Sequence, residues 1–555
     1  MNMKSLAVRV GIVLAVLIGA GFIAFQQYWY YLPGLLQAIR DPVQPNHEVV
    51  WETGADEAPA SVTERKPNII LIVADDLGYN DISVNRGGVA NGAVPTPNIN
   101  SIAADGANLT QSYSGNATCA PSRAAMLTGR YATRFGFEFT PVPVQFAKLL
   151  GHTNTNGQHP SIYHPEFEKD VPVMAEMTVP TSETTLPQML KTQGYHTLML
   201  GKWHLGETKE TRPEARGFDE YLGFLGGASR FLNSGDPDVV ESRQDFDPID
   251  KFLWANLSFA VVNNNKPERF TPSRYMTDYL SDEAAKAVAA NKNRPFFMYL
   301  AYNAPHTPLQ ALKSDYDALS GIKDHRLRVY AAMIRALDRG VGEVLKAVKD
   351  AGLDDKTLII FTSDNGGANY IGLPEINKPF RGWKATFFEG GIRVPLFIRW
   401  PSKIKPGSTF AGAAGHVDIF ATSAAAAGAS VPTDRTMDGV NLVPFVTGET
   451  QGAPHQTMFW RSGGYRVLLA GDWKIQVDDN PGKTWLYDLK TDPTEKTNLA
   501  ATSADKLAEM KALLDKVNAE QRKPLWPSLQ EGAIAIDHPL DSPESADDEY
   551  IYWSN

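Results

Sequence analysis

From residue 66 onward the chain alternates short apolar runs with longer stretches in which apolar residues recur at helical spacing. Residues 69–74, 296–302 and 358–362 are apolar throughout or nearly so, and residues 197–200 form a shorter run of the same kind. Such runs indicate strands that are buried on both faces, because strands with one solvated face alternate apolar and polar positions. The sequence therefore predicts several buried strands.

Amphipathic segments separate these runs. Apolar residues recur at helical spacing over residues 327–351, and residues 278–291 and 186–191 also have helical composition. Strands that alternate with helices are typical of an α/β fold, with a large, mostly parallel sheet flanked by helices. We therefore expect this architecture from about residue 67.

A short helix is predicted around Cys119. Pro121 suits a first helical turn and Gly129 a helix end, so Cys119 falls at or just before the N-terminus, where partial positive charge favours an anion. Cys119 is the only cysteine in the chain, and it therefore cannot form an internal disulfide. It is either a small buried apolar residue or a functional group.

Polar residues follow four of the predicted strands. They are Asp75 and Asp76, Lys202 and His204, His306, and Asp364 and Asn365. A single acidic pair after a strand is often a turn or a helix cap. The carboxyl ends of parallel strands, however, meet at one edge of the sheet, where ligands bind. Four polar strand ends therefore favour one shared site.

The acidic members of this set suit a hard cation. Asp75, Asp76, Asp364 and Asn365 all offer oxygen atoms, and the sequence has neither a thiolate cluster nor paired histidines at metal-binding spacing. Ca²⁺ and Mg²⁺ prefer such ligands. We therefore expect a divalent metal at the edge of the sheet.

Composition and charge limit the classes of partner. The chain has 555 residues, of which 43% are hydrophobic, enough for a sizeable core and more than one domain. The net charge of −10 argues against non-specific binding of nucleic acid. An anionic substrate would need a local basic pocket.

The first 31 residues have the pattern of an export signal or a membrane anchor. Lys4 and Arg9 precede an apolar run over residues 10–25, and aromatic residues at 28–31 lie where an interfacial belt would. Without a clear cleavage site, an uncleaved anchor is favoured over a removed signal peptide. We expect an exported protein, periplasmic or extracellular, with a linker over residues 32–66.

The run from Cys119 to Gly129, CAPSRAAMLTG, resembles the signature of the sulfatase family. Over about residues 66–500 the other motifs also follow in that family's order: the acidic pair, Lys-Trp-His, Pro-His, Asp-Asn-Gly-Gly and Glu-Gly-Gly. The chain thus resembles the formylglycine-dependent, arylsulfatase-like enzymes of the alkaline phosphatase superfamily. The resemblance implies a catalytic domain over residues 67–450, then a smaller sheet-plus-helix subdomain and an acidic tail over 451–555.

The resemblance also implies a chemistry for Cys119. A formylglycine-generating enzyme would oxidise it to an aldehyde, whose hydrate has one hydroxyl to attack sulfur and another to expel sulfate. A divalent ion, Ca²⁺ rather than Mg²⁺, would bind to Asp75, Asp76, Asp364, Asn365 and the modified Cys119.

Cationic side chains complete the site that the resemblance implies. In this interpretation Arg123 steadies the hydrate, Lys202 and Lys384 hold sulfate oxygens, and His204 and His306 transfer protons. Lys384 has Lys378 and Arg381 as close neighbours in the sequence, and only its place in the motif distinguishes it. As isolated residues, a lysine is usually solvated and a histidine usually structural.

Two long irregular segments, residues 135–183 and 230–270, are the candidates for substrate specificity. Within them Phe231, Trp254 and Tyr163 offer aromatic surfaces for a phenyl ring or a sugar face. The sequence does not distinguish aryl from carbohydrate sulfates.

Three functions remain open at this point. The first is metal-dependent hydrolysis of aryl or carbohydrate sulfates. The second is hydrolysis of a phosphodiester or a phosphonate monoester, since the same hydrate and metal can attack phosphorus. The third is calcium-dependent binding of sulfated glycans without catalysis, if Cys119 remains a thiol.

Replacing Cys119 by alanine tests the role of this residue. We expect hydrolysis of 4-nitrophenyl sulfate to fall to background, because the precursor of the nucleophile is lost. Circular dichroism should show an unchanged fold, since both side chains are small. A rate close to that of the wild type would contradict the mechanism.

Overall fold

The computed structural model describes residues 28–54, 65–85, 87–153, 157–263 and 266–555, and eleven positions between 9 and 22. About half of the predicted anchor over residues 1–31 lies outside the described residues. Among the described residues, there is no helix with the length and apolar character needed to cross a membrane.

A sheet of ten strands forms the centre of the described chain, and its five central strands run parallel. Its strands, in spatial order, are β14 (Ser408–Phe410), β2 (Ala107–Leu109), β13 (Leu396–Arg399), β12 (Thr357–Ser363), β1 (Asn68–Ala74), β10 (Phe296–Ala301), β5 (His196–Lys202), β6 (Glu220–Phe224), β8 (Val261–Asn263) and β9 (Lys266–Phe270). The predicted α/β fold is confirmed, and the apolar runs are its central strands.

Helices cover both faces of this sheet. The α-helices are α1 (Leu32–Arg40), α2 (Val89–Gly92), α3 (Pro97–Ala104), α4 (Cys119–Thr128), α5 (Val144–Gly151), α6 (Leu186–Thr192), α7 (Pro248–Asn256), α8 (Met276–Ala290), α9 (Lys313–Ala318), α10 (His325–Asp350), α11 (Glu389–Ile392), α12 (Val417–Ala426), α13 (Val443–Val446) and α14 (Ala504–Ala519). Within β1, Ile70 and Ile72 enter the core on one face, and Ile69 and Leu71 enter the core on the other. This two-sided burial explains the unbroken apolar run.

Smaller sheets lie around the central one. The C-terminal subdomain has an antiparallel sheet of β16 (Thr457–Ser462), β17 (Tyr465–Ala470), β18 (Trp473–Asp478) and β19 (Lys483–Asp488), packed against α14. The remaining strands are β21 (Tyr550–Ser554), β20 (Gln530–Ala535) and β4 (Ile162–Tyr163) in one sheet, and the pairs β11 (Leu309–Leu312) with β7 (Val239–Ser242) and β15 (Ala414–Gly415) with β3 (Ser112–Tyr113). The C-terminal strands β20 and β21 thus form a sheet with β4, which lies much earlier in the chain.

The segment predicted as a linker contains helix α1, which packs on α7. The backbone N–H of Gly34 donates to Asn256 Oδ1 at 2.8 Å. A Cβ atom at Gly34 would lie 2.6 Å from the carbonyl oxygen of Ala255, so only glycine allows this close approach. Farther along, Gln44 forms a β-bridge with Phe270. This part of the chain therefore lies against the catalytic domain.

A buried charge cluster joins the C-terminal sheet to helix α11. Lys474 Nζ lies 2.8 Å from Glu389 Oε1 and 2.9 Å from Glu495 Oε1. Glu495 Oε2 also accepts the backbone N–H of Glu389 at 2.6 Å. Burial raises the pKa of Glu495 to about 7 although Lys474 acts in the opposite direction, because one ammonium serves two buried carboxylates.

The pKa of Glu495 predicts a pH-dependent contribution to stability. Because the pKa in the folded protein is raised from 4.5 to about 7, ionisation is penalised by folding, and this group lowers stability as pH rises through that window. Glu495→Gln cannot ionise. As pH rises from 4.5 to 7, its free energy of unfolding should therefore increase relative to that of the wild type, by about 3 kcal/mol at most. Urea denaturation at several pH values measures this difference.

Glu509→Gln is the control, because Glu509 lies on the exposed side of α14. Its difference from the wild type should not change across the window. A parallel change in both variants would contradict the assignment to Glu495.

Candidate active site

Strands β12, β1, β10 and β5 are neighbours in the sheet, and all four polar strand ends lie at the same edge. Ala74 is in register with Ser363, so the residues that follow β1 and β12 emerge side by side. The backbone N–H of Asp76 donates to Asp364 Oδ1 at 3.1 Å. Asp75, Asp76 and Asp364, here called the acidic triad, are fully buried.

Cys119 is the first residue of helix α4 and is 2% exposed. The helix begins at the predicted position, with Pro121 in its first turn, and it ends at Gly129, whose left-handed φ of 68° suits glycine. The Sγ atom of Cys119 lies 3.8 Å from Asp76 Oδ1. The cysteine therefore borders the acidic triad.

Three cationic side chains neutralise the acidic triad. Lys202 Nζ lies 2.8 Å from both oxygens of Asp75, and Arg123 bridges Asp75 at 3.3 Å and Asp364 at 2.8 Å. Lys384 Nζ contacts Asp76 Oδ2 at 2.7 Å. We call Arg123, Lys202 and Lys384 the cationic group.

The carboxyl groups of the triad respond differently to this setting. Burial raises the pKa of Asp75 well above its ordinary value, and Lys202 only partly opposes it. Burial would also raise the pKa of Asp76, but Lys384 and His306 lower it below the ordinary value. Burial acts in the same sense on Asp364, where Arg123 and Lys202 prevail and lower the pKa. The site thus keeps strong negative charge at Asp76 and Asp364.

Two histidines border the same site. His306 Nδ1 lies 2.5 Å from the carbonyl oxygen of Thr307, so Nδ1 carries the proton and Nε2 is free to accept. His306 Nε2 lies 3.3 Å from Lys384 Nζ. His204 is buried, and its Nδ1 has no hydrogen-bond partner in the part of the chain that the structure describes. Burial lowers the pKa of both rings, so both are neutral near pH 7.

The residues present fit a divalent cation. Ligand atoms of Asp75, Asp76, Cys119 and His306 lie within 4.8 Å of one another. Asn365 donates through Nδ2 to Asp76 Oδ1 at 2.8 Å, while its buried Oδ1 has no hydrogen-bond partner among the described residues. A buried amide oxygen without a donor is costly unless a cation or water meets it. Carboxylate and amide oxygens are the ligands that hard cations prefer.

Sequence reasoning missed two residues of the site. The hydroxyl of Tyr370 donates to Asp76 Oδ2 at 3.1 Å and accepts from Lys384 Nζ at 3.0 Å. His416 accepts the backbone N–H of Gly115 at Nδ1, at 3.2 Å, and lies close to Ser122 behind the nucleophile helix. Burial lowers the pKa of His416 to about 3. Neither residue belongs to a local motif that would have singled it out.

The structure separates Lys384 from its neighbours in the sequence. Lys378 is exposed and pairs with Glu375 at 2.7 Å. Arg381 pairs with Asp537 at 2.5 Å and lies against the C-terminal strands. Of these three cationic residues, Lys384 is the one in contact with the acidic triad.

The aromatic residues proposed for substrate contact have other partners. Phe231 is fully buried and stacks on Tyr275, with ring centroids 5.4 Å apart. The indole N–H of Trp254 donates to Asp250 at 2.9 Å, and Tyr163 donates to Glu168 at 2.9 Å. None of the three lines the cavity above Cys119, so this prediction is wrong.

Comparison with known proteins identifies the family. The Sulfatase family model matches residues 67–429, and a model of the C-terminal part of N-sulphoglucosamine sulphohydrolase matches residues 381–523. The chain belongs to the sulfatase family. Human N-acetylgalactosamine-6-sulfatase is 30% identical to this sulfatase over 509 residues, covering 85% of this chain and 89% of the relative. Mouse steryl-sulfatase is 28% identical over 575 residues, covering 85% of each.

Solved structures agree with this assignment. Ps i-CgsB, which was also solved in complex with k-i-k-neocarrahexaose, is 33% identical with a TM-score of 0.68, covering 83% of this chain and 95% of that one. The phosphonate monoester hydrolase of Agrobacterium radiobacter is 19% identical with a TM-score of 0.56 and covers 83% of this chain and 97% of that one, a likeness of fold alone. This sulfatase is a sulfuric ester hydrolase with the fold of the alkaline phosphatase superfamily.

The contacts of Lys384 predict a large effect of its removal. Lys384→Met should lower kcat for 4-nitrophenyl sulfate by about 10²–10³, the typical cost of losing one preorganised group that stabilises developing charge. Lys378→Met is the matched control and should stay within about twofold, because an exposed ion pair contributes little. Equal losses in both variants would contradict the placement of Lys384 in the site.

Proposed function

We propose that this sulfatase acts through a formylglycine hydrate formed from Cys119, with a divalent cation bound beside it. The observation that carries the proposal is the position of Cys119. Its side chain is buried at the start of helix α4 and lies 3.8 Å from Asp76. A thiol has no evident role among carboxylates and ammonium groups, whereas a hydrated aldehyde offers hydroxyls to both.

Calcium is the proposed ion. Asp75, Asp76, Asp364 and Asn365 would hold it, and their oxygen donors suit the irregular, oxygen-rich coordination of Ca²⁺ better than the strict octahedron of Mg²⁺. The bound ion would supply Lewis-acid polarisation of a sulfate oxygen and favour deprotonation of the hydrate. The unpaired Oδ1 of Asn365 supports this assignment.

The cationic group would bind and orient the ester. Lys202 and Lys384 are buried ammonium groups whose contacts within the site are to Asp75 and Asp76 and, for Lys384, to Tyr370 and His306. Burial alone would lower the pKa of Lys384, but the negative charge of Asp76 outweighs burial and the pKa lies well above its ordinary value. The ammonium form therefore persists. Fixed positive charge in a site that excludes water stabilises the charge that develops on sulfate oxygens.

The two histidines are proposed to transfer protons. The carbonyl of Thr307 holds the proton of His306 on Nδ1, which leaves Nε2 facing Lys384 and Asp76. A neutral ring in this tautomer accepts a proton at Nε2 and returns it to the leaving oxygen. His204 borders the same cavity as Cys119 and His306, and it is proposed to act at the hydrate.

Maturation follows from the burial of Cys119. A side chain that is 2% exposed in the folded protein cannot enter the active site of another enzyme. A formylglycine-generating enzyme would therefore act on the unfolded chain, before or during export. The apolar run at residues 10–25 supports the proposal that the chain is exported.

Comparing two esters with the same leaving group tests the reaction class. With calcium present, kcat/KM for 4-nitrophenyl sulfate should exceed that for bis(4-nitrophenyl) phosphate by at least about tenfold, a difference of about 1.4 kcal/mol in transition-state binding. Continuous absorbance assays of nitrophenolate measure both reactions on one preparation.

Chelation provides the control for this comparison. Removing calcium should lower both rates together, because both substrates would use the same site, and added calcium should restore them. Faster hydrolysis of the phosphate diester would favour the phosphodiesterase alternative instead.

A further inference from the structure

A cavity of about 770 Å³ opens directly above the nucleophile. Its floor consists of the site already described, and it includes Cys119, His204, His306 and Lys384. The volume is within the range of pockets that enclose a drug-sized ligand. If the sulfate group of a substrate lies on this floor, the alcohol or phenol part of the same substrate lies in the cavity above it.

The two long walls of the cavity are apolar. One is formed by helix α5 and the segment before it, and the other by helix α7 and the end of β6. Their apolar lining residues are Pro141, Val142, Pro143, Phe146, Leu150, Phe224, Leu225, Ile249, Phe252, Leu253 and Leu257. The rings of Phe146 and Phe252 meet edge to face, with centroids 5.1 Å apart. The two walls therefore contact each other through apolar side chains, and they present apolar side chains to a ligand as well.

Helix α1 closes part of the cavity from above. Pro33, Gln37 and Asp41 follow one another at four-residue spacing and line it. Asp41 Oδ2 pairs with Arg269 Nε at 2.6 Å, so these two charges satisfy each other. The other charged lining residues, Glu207, Arg212 and Glu214, come from one short segment.

Neither of the two long walls suits a sugar. A sugar ring presents hydroxyl groups in several directions, and each one that is buried without a partner loses its hydrogen bonds to water. An apolar skeleton loses nothing of this kind and gains from leaving water. Neutral polar residues also line the cavity, among them Gln37, Asn256, Asn263, Gln530 and Asn555. The walls formed by α5 and α7 are nevertheless mainly apolar, and this distribution matches a ligand with one anionic end and one largely apolar body.

We propose that the substrate of this sulfatase is the sulfate ester of a bulky, apolar phenol or alcohol, whose hydrocarbon skeleton fills the cavity between α5 and α7. The inference rests on the proposed function, because it assumes that the sulfate lies at Cys119. It places specificity in the apolar walls, where Phe146 and Leu253 are the central contacts.

A series of 4-alkylphenyl sulfates, from methyl to hexyl, tests the inference. The acidity of the leaving phenol hardly changes along this series, so the intrinsic reactivity of the ester stays constant. We expect kcat/KM to rise about fourfold per methylene until the cavity is full, the factor that corresponds to complete burial of one CH₂ group. N-acetylgalactosamine 6-sulfate serves as the carbohydrate probe and should be a poorer substrate than the parent phenyl sulfate.

Binding to Cys119→Ala gives a measurement that does not depend on turnover. Calorimetric Kd values for the same series should fall with each methylene. In Phe146→Asn and Leu253→Asn the slope of kcat/KM against chain length should flatten, with the parent ester of each variant as its own reference. Leu35→Ser is the control, since Leu35 is 60% exposed on the outer side of α1, and it should retain the wild-type slope.

The outcomes separate the two proposals. A flat series in both kcat/KM and Kd, with faster turnover of the sulfated sugar, would overturn the apolar substrate and leave sulfate ester hydrolysis standing. Absence of turnover for every sulfate ester by protein that carries the modified residue would overturn the proposed function itself.

Discussion

Burial of three carboxyl groups side by side is the constraint on which the site depends. An ionised carboxylate costs several kcal/mol to remove from water, and neighbouring carboxylates repel one another. The acidic triad is fully buried at the edge of the sheet, so positive charge must reach it from elsewhere in the chain. Arg123 comes from helix α4, Lys202 from the end of β5, and Lys384 from the loop before α11. The charges that permit burial belong to the same side chains that are proposed to bind the sulfate group.

The backbone carries strain at the same place. Of the six non-glycine residues with positive φ in the described chain, Asp76, His204 and Ala385 lie in the site or next to it. Such conformations cost about 1–3 kcal/mol each and persist where surrounding contacts fix them. At Asp76 these contacts include Lys384 and Asn365. The fold therefore uses stability gained in its two-sided core to hold reactive groups in place.

Much of the fold was predictable from the sequence, since strands that are buried on both faces leave unbroken apolar runs. The predicted strands over residues 69–74 and 358–362 agree with the structure to within one residue at each end. The polar residues after them were predictable for the same reason, because the ends of neighbouring parallel strands lie side by side. Tyr370 and His416 were not, since each reaches the site through tertiary packing.

The surroundings of the site were predicted less well. The segment predicted as a linker contains a helix that packs on α7 with a close approach at Gly34, a tertiary contact that no local pattern shows. Phe231 and Trp254 were predicted to contact substrate because they are aromatic residues in irregular segments, yet both side chains are buried in the core. Both segments proposed for specificity contribute residues to the cavity, such as Phe146 and Phe252, but tertiary packing decides which of their side chains face it.

The proposed mechanism depends on the chemical state of Cys119, and peptide mass spectrometry across helix α4 tests this state most directly. The measurement requires protein from a host that can modify the residue, digested after trapping of aldehydes with a hydrazine. If the mechanism is correct, residue 119 of active protein has lost its sulfur and carries the trapped aldehyde. Active protein with an intact thiol at Cys119 would contradict it.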